Sequence, residues 1–324
     1  MRSVILAVLM TVTTAAEGWA WGEEGHRAVA DAARQLSLTP ETREAITKLL
    51  GNDDMAAVAV WLDEVRQAKR NQGPLVHDPE AKMFNQQHPN NAEWHFVNLP
   101  LSSATFSTDP SFAGPEKVAI MINQCIKVLE TPGKKKTVMT KTQALRTLIH
   151  LVGDIHQPLH VSSGYYDFGP DGQATLISDP VKAKGAPSDQ GGNLLHWGPG
   201  KIEELHGDWD FAVVQRILGR VDFQALAAKL AADAQGKNWA LPGDYHRDWS
   251  VAWALDALRV AEPAYADVKF GRASFNTHQA LLEIEIQELQ DRDTYLNKHA
   301  ADAVGQLTKA AGRLATLLNQ IKWK

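Results

Sequence analysis

The stretch Ala144 to His160, ALRTLIHLVGDIHQPLH, constrains the rest of the chain most tightly. Leu145, Leu148, Ile149 and Val152 recur at helical spacing and form a core stripe. Pro158 stops that helix, because the residue before a proline is pushed out of the α region. His150 and Asp154 stand four apart, so they project from one face, one turn above the other. His160 follows just past the break, where the turning chain can bring it back toward the same cavity. An imidazole and a carboxylate at this spacing are first-choice zinc ligands. A single such pair is more often a polar cap on a buried helix, but three candidate ligands crowd this one stretch.

The remaining composition narrows the chemistry. Of 324 residues, 44% are hydrophobic, enough for one substantial core in one large domain or two small ones. Cys125 is the single cysteine, which excludes an internal disulfide and a cysteine-based zinc site. Twelve histidines direct any metal chemistry toward imidazole and carboxylate ligands. The formal charge of −5 does not suit a protein that grips nucleic acid through a basic face. If the substrate is a polyanion, the positive charge must come from somewhere other than Lys and Arg.

Residues 1–20 read as a secretory signal: Arg2 in the n-region, an apolar run from Val4 to Val12, and a cleavage site at Gly18–Trp19–Ala20. The run is too short for a stable membrane anchor. A periplasmic or secreted protein is expected, spanning 21–324 after cleavage behind Ala20, with no obligate protein partner. The new N-terminus would be WGEEGH. A free α-amino group titrates near roughly 7.7–8.0, so a metal can claim its lone pair, with the Trp21 carbonyl and His26 as neighbouring ligands.

Further along, Thr39–Pro40 caps a helix that Gly51 ends. Met55 to Arg70 reads as one helix carrying Trp61, Asp63 and Arg66, the last two on a shared face as an ordinary surface ion pair. EWHFVNLP reads as extended, with Phe96 and Asn98 on the same side. A helix is expected over Glu116 to Glu130, then a solvated basic turn at Gly133–Lys136. The loop after His160 has room for a short hairpin. Gly191–Gly192 lets backbone approach something closely. KIEELHGDWDFAVVQRIL reads as helical and repeats the His-x-x-x-Asp spacing with His206 and Asp210. Helices are expected over Phe223 to Ala234, Trp249 to Ala261, His278 to Gln290 and Tyr295 to Ile321. The fold expected is mainly α, a single compact multi-helix domain.

Six motifs stand in order: W-G-x-x-G-H from Trp21, W-x-D-x-x-R from Trp61, W-H-F from Trp94, H-x-x-G-D-x-H-Q-P-L-H from His150, G-G-N from Gly191 and L-H-x-x-W-D from Leu205. Together they resemble the type I single-strand-specific zinc nucleases, a family with a phospholipase C-like helical fold. The resemblance implies three zinc ions. Asp63, His95, His150 and Asp154 would hold one; Trp21, His26 and Asp154 a second; His160, His206 and Asp210 the third. His156, inside the motif, would be structural. A zinc-bridged water oriented by Asp63 would attack phosphorus in line, with Arg66 on the developing charge. Single-stranded DNA, RNA and nucleotides would be substrates, giving 5′-phosphate products with 3′-nucleotidase activity at the same site. Phe96, Asn98, Gly191, Gly192 and Asn193 would form the base site, where stacking needs an unpaired base. Asn98 stands where fungal members commonly carry Asp, Glu204 replaces the usual Asn before Leu205–His206, and the family's disulfides are missing. Rival readings are a zinc phospholipase C, which differs in ligand spacing, and a non-catalytic zinc-binding protein, which Asp63, Arg66 and Phe96 argue against.

Overall fold

The computed structural model describes residues 21–113, 117–133, 135, 137–198, 203–219, 221–276, 281–287 and 291–324. The expected secretory signal lies outside these residues, as do Glu116, Lys134 and Lys136. In chain order the first helices are α1 (Gly22–Gln35), α2 (Pro40–Leu50), α3 (Met55–Val58), α4 (Trp61–Lys69), α5 (Pro79–Gln87) and α6 (Val118–Glu130). Then come α7 (Lys141–Asp154), α8 (Pro180–Ala183), α9 (Leu205–Gly207), α10 (Val213–Leu218), α11 (Phe223–Ala234), α12 (Asp248–Ala266) and α13 (Arg292–Gln320). The strands are short until late in the chain: β1 (Leu99–Pro100), β2 (Ser162–Ser163), β3 (Tyr166–Phe168), β4 (Ala174–Leu176), β5 (Leu195–His196), β6 (Lys269–Asn276) and β7 (Leu281–Gln287).

The central helix is α7. Thr140 caps it: its hydroxyl accepts from the Gln143 N–H at 3.1 Å, and the Gln143 side chain accepts from the Thr140 N–H at 2.9 Å. This reciprocal box satisfies donors that a helix start leaves orphaned. Leu145, Leu148, Ile149, Leu151 and Val152 are all buried, because α7 is wrapped rather than laid on a surface. It packs against α1, α2, α3, α4, α6 and α13. His156, just beyond it, is structural as expected. Its Nδ1–H donates to Val152 O at 2.7 Å, and its Nε2 lies 3.0 Å from Arg313 of α13. No helix among the described residues is long and apolar enough to cross a membrane.

The mainly helical fold stands, and five local readings change. Helix α7 ends at Asp154, and Pro158 instead opens a separate 3-10 turn (Pro158–His160), where its fixed φ suits the first position. Met55 to Arg70 is two helices, since the Ala59 carbonyl is taken by the buried His150 ring at 2.7 Å. EWHFVNLP begins as a 3-10 turn (Asn91–His95) and extends only from Phe96. Beyond it Val97 and Leu99 are buried while Phe96 and Asn98 are partly exposed, so the last two do share a side. The 201–218 helix starts only at Leu205 and carries a π turn at Asp208–Ala212; Lys201 and Ile202 lie outside the described residues.

The fifth change is the largest. The described part of His278 to Gln290 is strand β7, antiparallel to β6 and parallel to β5, with residues 278–280 and 288–290 outside the described set. LLEIEIQ alternates apolar and polar residues, the period of a strand and not of a helix. Ile284 is buried, and its N–H donates to Leu194 O at 2.7 Å.

Because α7 depends on its cap, Thr140→Ala should lower unfolding free energy by about 1 kcal/mol. Denaturant melts should show this at unchanged nuclease activity; a loss under a few tenths would mean that packing alone fixes the helix start.

Candidate metal centre

Each candidate ligand sits near the end of an element, where the chain turns into a common centre. His26 comes from the second turn of α1, Asp63 from the first turn of α4, and His95 from the end of its 3-10 turn. His150 and Asp154 occupy the last turns of α7, and His160 closes the Pro158 turn. His206 lies in α9 and Asp210 in the π turn that follows. Pairing of β1 with β2 draws the His95 and His160 segments together: Val97 N–H donates to His160 O at 2.8 Å. The His160 Nδ1–H donates to His95 O at 2.8 Å.

The side chains form three buried groups: His26, His150 and Asp154; Asp63, His95 and His150; His160, His206 and Asp210. His95 Nδ1 and His150 Nε2 are 3.0 Å apart, and they lie 3.0 and 3.2 Å from Asp154 Oδ2. Asp63 stands 3.7 Å from His95 Nδ1 and 3.8 Å from His150 Nε2. The other carboxylate oxygen of Asp154 faces His26 Nε2 at 3.4 Å. In the third group Asp210 lies 3.2 Å from His206 Nε2 and 3.7 Å from His160 Nε2. Ligand atoms about 2.0 Å from a tetrahedral zinc stand about 3.3 Å from one another. The observed separations bracket that value.

Hydrogen bonding makes the same point. His26 Nε2, Asp63 Oδ2, Asp154 Oδ1, His160 Nε2 and Asp210 Oδ2 are buried and carry no hydrogen bond. Orphaned polar atoms of this kind are costly in a core unless something binds them. Two neighbouring rings, by contrast, are fixed from behind. His150 Nδ1–H donates to Ala59 O and His206 Nδ1–H to Gly191 O, each at 2.7 Å, which leaves both Nε2 lone pairs facing inward.

Burial opposes charge on every imidazole here. It pushes His95 down to about 4 and holds His26 and His160 below their ordinary value. At His150 and His206 burial is outweighed by carboxylates: Asp154 and Asp63 lift the first up to about 9, and Asp210 lifts the second up to about 9. Burial alone would raise Asp63 and Asp154, yet both lie below the usual carboxylate range. Arg66 outweighs it at Asp63, and the His150 and His95 rings outweigh it at Asp154. Carboxylate charge this concentrated attracts protons or a metal cation, which compete for the same lone pairs.

Asp63 and Arg66 do pair, at 2.9 Å, but not as a surface pair: Asp63 is fully buried and Arg66 largely so. Trp21 is buried, and its indole N–H donates to Gly153 O at 3.1 Å, tying the start of α1 to the turn that carries Asp154. Phe96 and Asn98 lie on the adjoining segment. Asn193 donates its side-chain N–H to Gln190 O at 2.7 Å, inside the glycine turn.

A model of the S1/P1 nuclease family matches residues 21–322, nearly the whole described chain. The chain belongs to the S1/P1 nuclease family. Endonuclease 2 of Arabidopsis thaliana is 25% identical over 93% of this chain and 90% of its own length. Nuclease P1 of Penicillium citrinum is 22% identical over 93% and 97%, and Nuclease S1 of Aspergillus oryzae 28% identical over 46% and 47%. The protein is therefore a nuclease, a hydrolase of phosphodiester bonds in nucleic acid. Its family motifs contain two residues whose role needs the fold to be seen. A Cβ on Gly153 would lie 2.6 Å from His26 Nδ1, so only glycine lets α1 set its imidazole against α7. Gln157 Nε2 donates to Asp210 Oδ1 at 2.7 Å, turning the other oxygen toward His206. Both stand inside the sequence motif, but no spacing rule points to their contacts.

Gly153→Ala should push the His26 ring out of its group although alanine favours helix by roughly 1 kcal/mol. Zinc content should fall while far-UV circular dichroism stays helical. A fully loaded Gly153→Ala protein would show that His26 is dispensable.

Proposed function

We propose that this nuclease is a zinc-dependent endonuclease specific for single strands of DNA and RNA. It would release 5′-phosphate products and act as a 3′-nucleotidase at the same site. The observation that carries this reading is the set of buried, hydrogen-bond-free imidazole and carboxylate atoms at ligand spacing, in a chain of a nuclease family. Three ions would be held: one on Asp63, His95, His150 and Asp154; one on His26, Asp154 and the amine and carbonyl of Trp21; one on His160, His206 and Asp210. The second requires Trp21 as the first residue, and so a secretory leader removed after Ala20 and a periplasmic or secreted enzyme. Bound zinc supplies positive charge for phosphate oxygens and lowers the pKa of a water molecule to near neutrality.

The chain's own residues do the rest. Asp63, held ionised by Arg66, accepts a hydrogen bond from the attacking water and aims it at phosphorus. Arg66 brings its guanidinium charge beside the equatorial oxygens, where charge gathers. Phe96 presents a ring for the base beside the scissile bond, with Asn98, Asn193 and the backbone of Gly191 and Gly192 around it. Lys117, paired to Glu93 at 3.1 Å, sits 4.2 Å from the centre of that ring and holds it in place. A base can stack there only when unpaired, so duplexes carry the added cost of opening.

The test is a panel of single-stranded DNA, duplex DNA, RNA, a 3′-nucleotide and phosphatidylcholine, assayed with chelator and after zinc is restored. Expected is cleavage of the single strands and the 3′-nucleotide, lost with chelator and regained with zinc. Preference for duplex or for lipid, or activity that survives chelation, contradicts the reading. Phe96→Ala should raise KM on single strands about fivefold or more, the low end of base stacking; an unchanged KM would remove Phe96 from the base site.

A further inference from the structure

The turn at Gln190–Gly191–Gly192 holds three successive residues at positive φ, 57°, 71° and 85°. For glutamine that conformation costs roughly 1–2 kcal/mol, so something must hold it. The turn is wedged between two ligand-bearing segments. Gly191 O accepts from His206 Nδ1, and Gly192 O accepts from the His206 backbone N–H at 3.3 Å. On the other side a Cβ on Gly191 would lie 2.5 Å from Leu159 O, one residue before His160. The position of this turn thus sets where His206 points relative to His160.

Behind the turn lies Asp189, fully buried and belonging to none of the three metal groups. Its Oδ1 accepts from the Gly192 and Gly164 N–H groups and the Ser163 hydroxyl, each at 3.0 Å. Tyr265 of α12 reaches the same oxygen at 3.2 Å, and Tyr166 of β3 donates to Oδ2 at 2.8 Å. One carboxylate therefore ties β3, α12 and the end of β2 to the glycine turn. Burying a carboxylate is expensive, and this number of donors is what offsets the cost.

We propose that Asp189 is a positioning residue for the third metal group: it locks the glycine turn so that the Gly191 carbonyl fixes the His206 tautomer and ring. Asp189 touches neither metal nor substrate. The inference rests on the metal-centre reading, and its test reads metal binding directly.

Asp189→Asn keeps the shape but removes the charge and turns an N–H₂ toward donors. Zinc affinity is measured on the intact protein by chelator competition, and nuclease rate is followed against added zinc. Partners at this distance from a metal typically change affinity roughly 10–100-fold. One class of zinc should weaken by about that factor with the others unchanged, and excess zinc should restore the rate, a rescue that general loosening of the fold does not give. If Asp189→Asn does not fold, Tyr265→Phe, which removes one donor from the carboxylate, should show the same selective loss on a smaller scale. Wild-type zinc affinity in the folded variant, while the unaltered enzyme binds zinc and cuts DNA, overturns the inference and leaves the proposed function intact.

Discussion

The structure depends on a carboxylate in an unfavourable place. Asp154 is fully buried at the C-terminal end of a buried helix, where its charge adds to the negative end of the helix dipole. Burial and dipole both act against it, and a carboxylate there persists only if hydrogen-bond donors or positive charge come to it. His26, His95 and His150 converge on its two oxygens from α1, the Asn91–His95 turn and its own helix. That convergence explains much of the architecture. The Ala59 carbonyl is diverted from its helix to orient His150, and Gly153 is bare so that His26 can reach past it.

The same arrangement answers how an acidic protein handles a polyanion. With a formal charge of −5, the chain has little to offer a phosphate through its general surface field. In the proposed reading, buried carboxylates and imidazoles would gather cations into one place instead, where the low surrounding dielectric makes each charge count for more. Arg66 is the protein's own contribution of fixed positive charge to that place, locked to Asp63 by an ion pair. Affinity built this way would centre on one or two phosphates and on stacking, and not on a long basic track.

How much of this was legible in the sequence follows from the kind of signal each part sends. The candidate ligand residues stand out because histidine and aspartate recur inside six ordered motifs, and the fold gathers those imidazoles and carboxylates into three groups. Helices with caps and a clear stripe, such as α2, α7 and α11, were readable as well. What failed depended on contacts distant in sequence. The break at Ala59 coincides with a hydrogen bond to a histidine ninety-one positions away. Strand β7 is an exception, since the alternation of LLEIEIQ is legible locally. Asp189 sends no signal in the sequence, and the motif that holds Gln157 does not reveal its contact, because a polar residue acquires meaning only from the donors and acceptors packed around it.

The central claim is that Asp154 is shared between two metal positions while Asp210 serves one. The most direct measurement is anomalous diffraction at the zinc edge on crystals of Asp154→Asn and Asp210→Asn grown with equal zinc. The account predicts that the first variant loses or depletes the two positions flanking residue 154 and keeps the third. The second variant should lose only the position beside His160 and His206. Equal depletion at all positions in both variants, or full occupancy around residue 154 in Asp154→Asn, would contradict it.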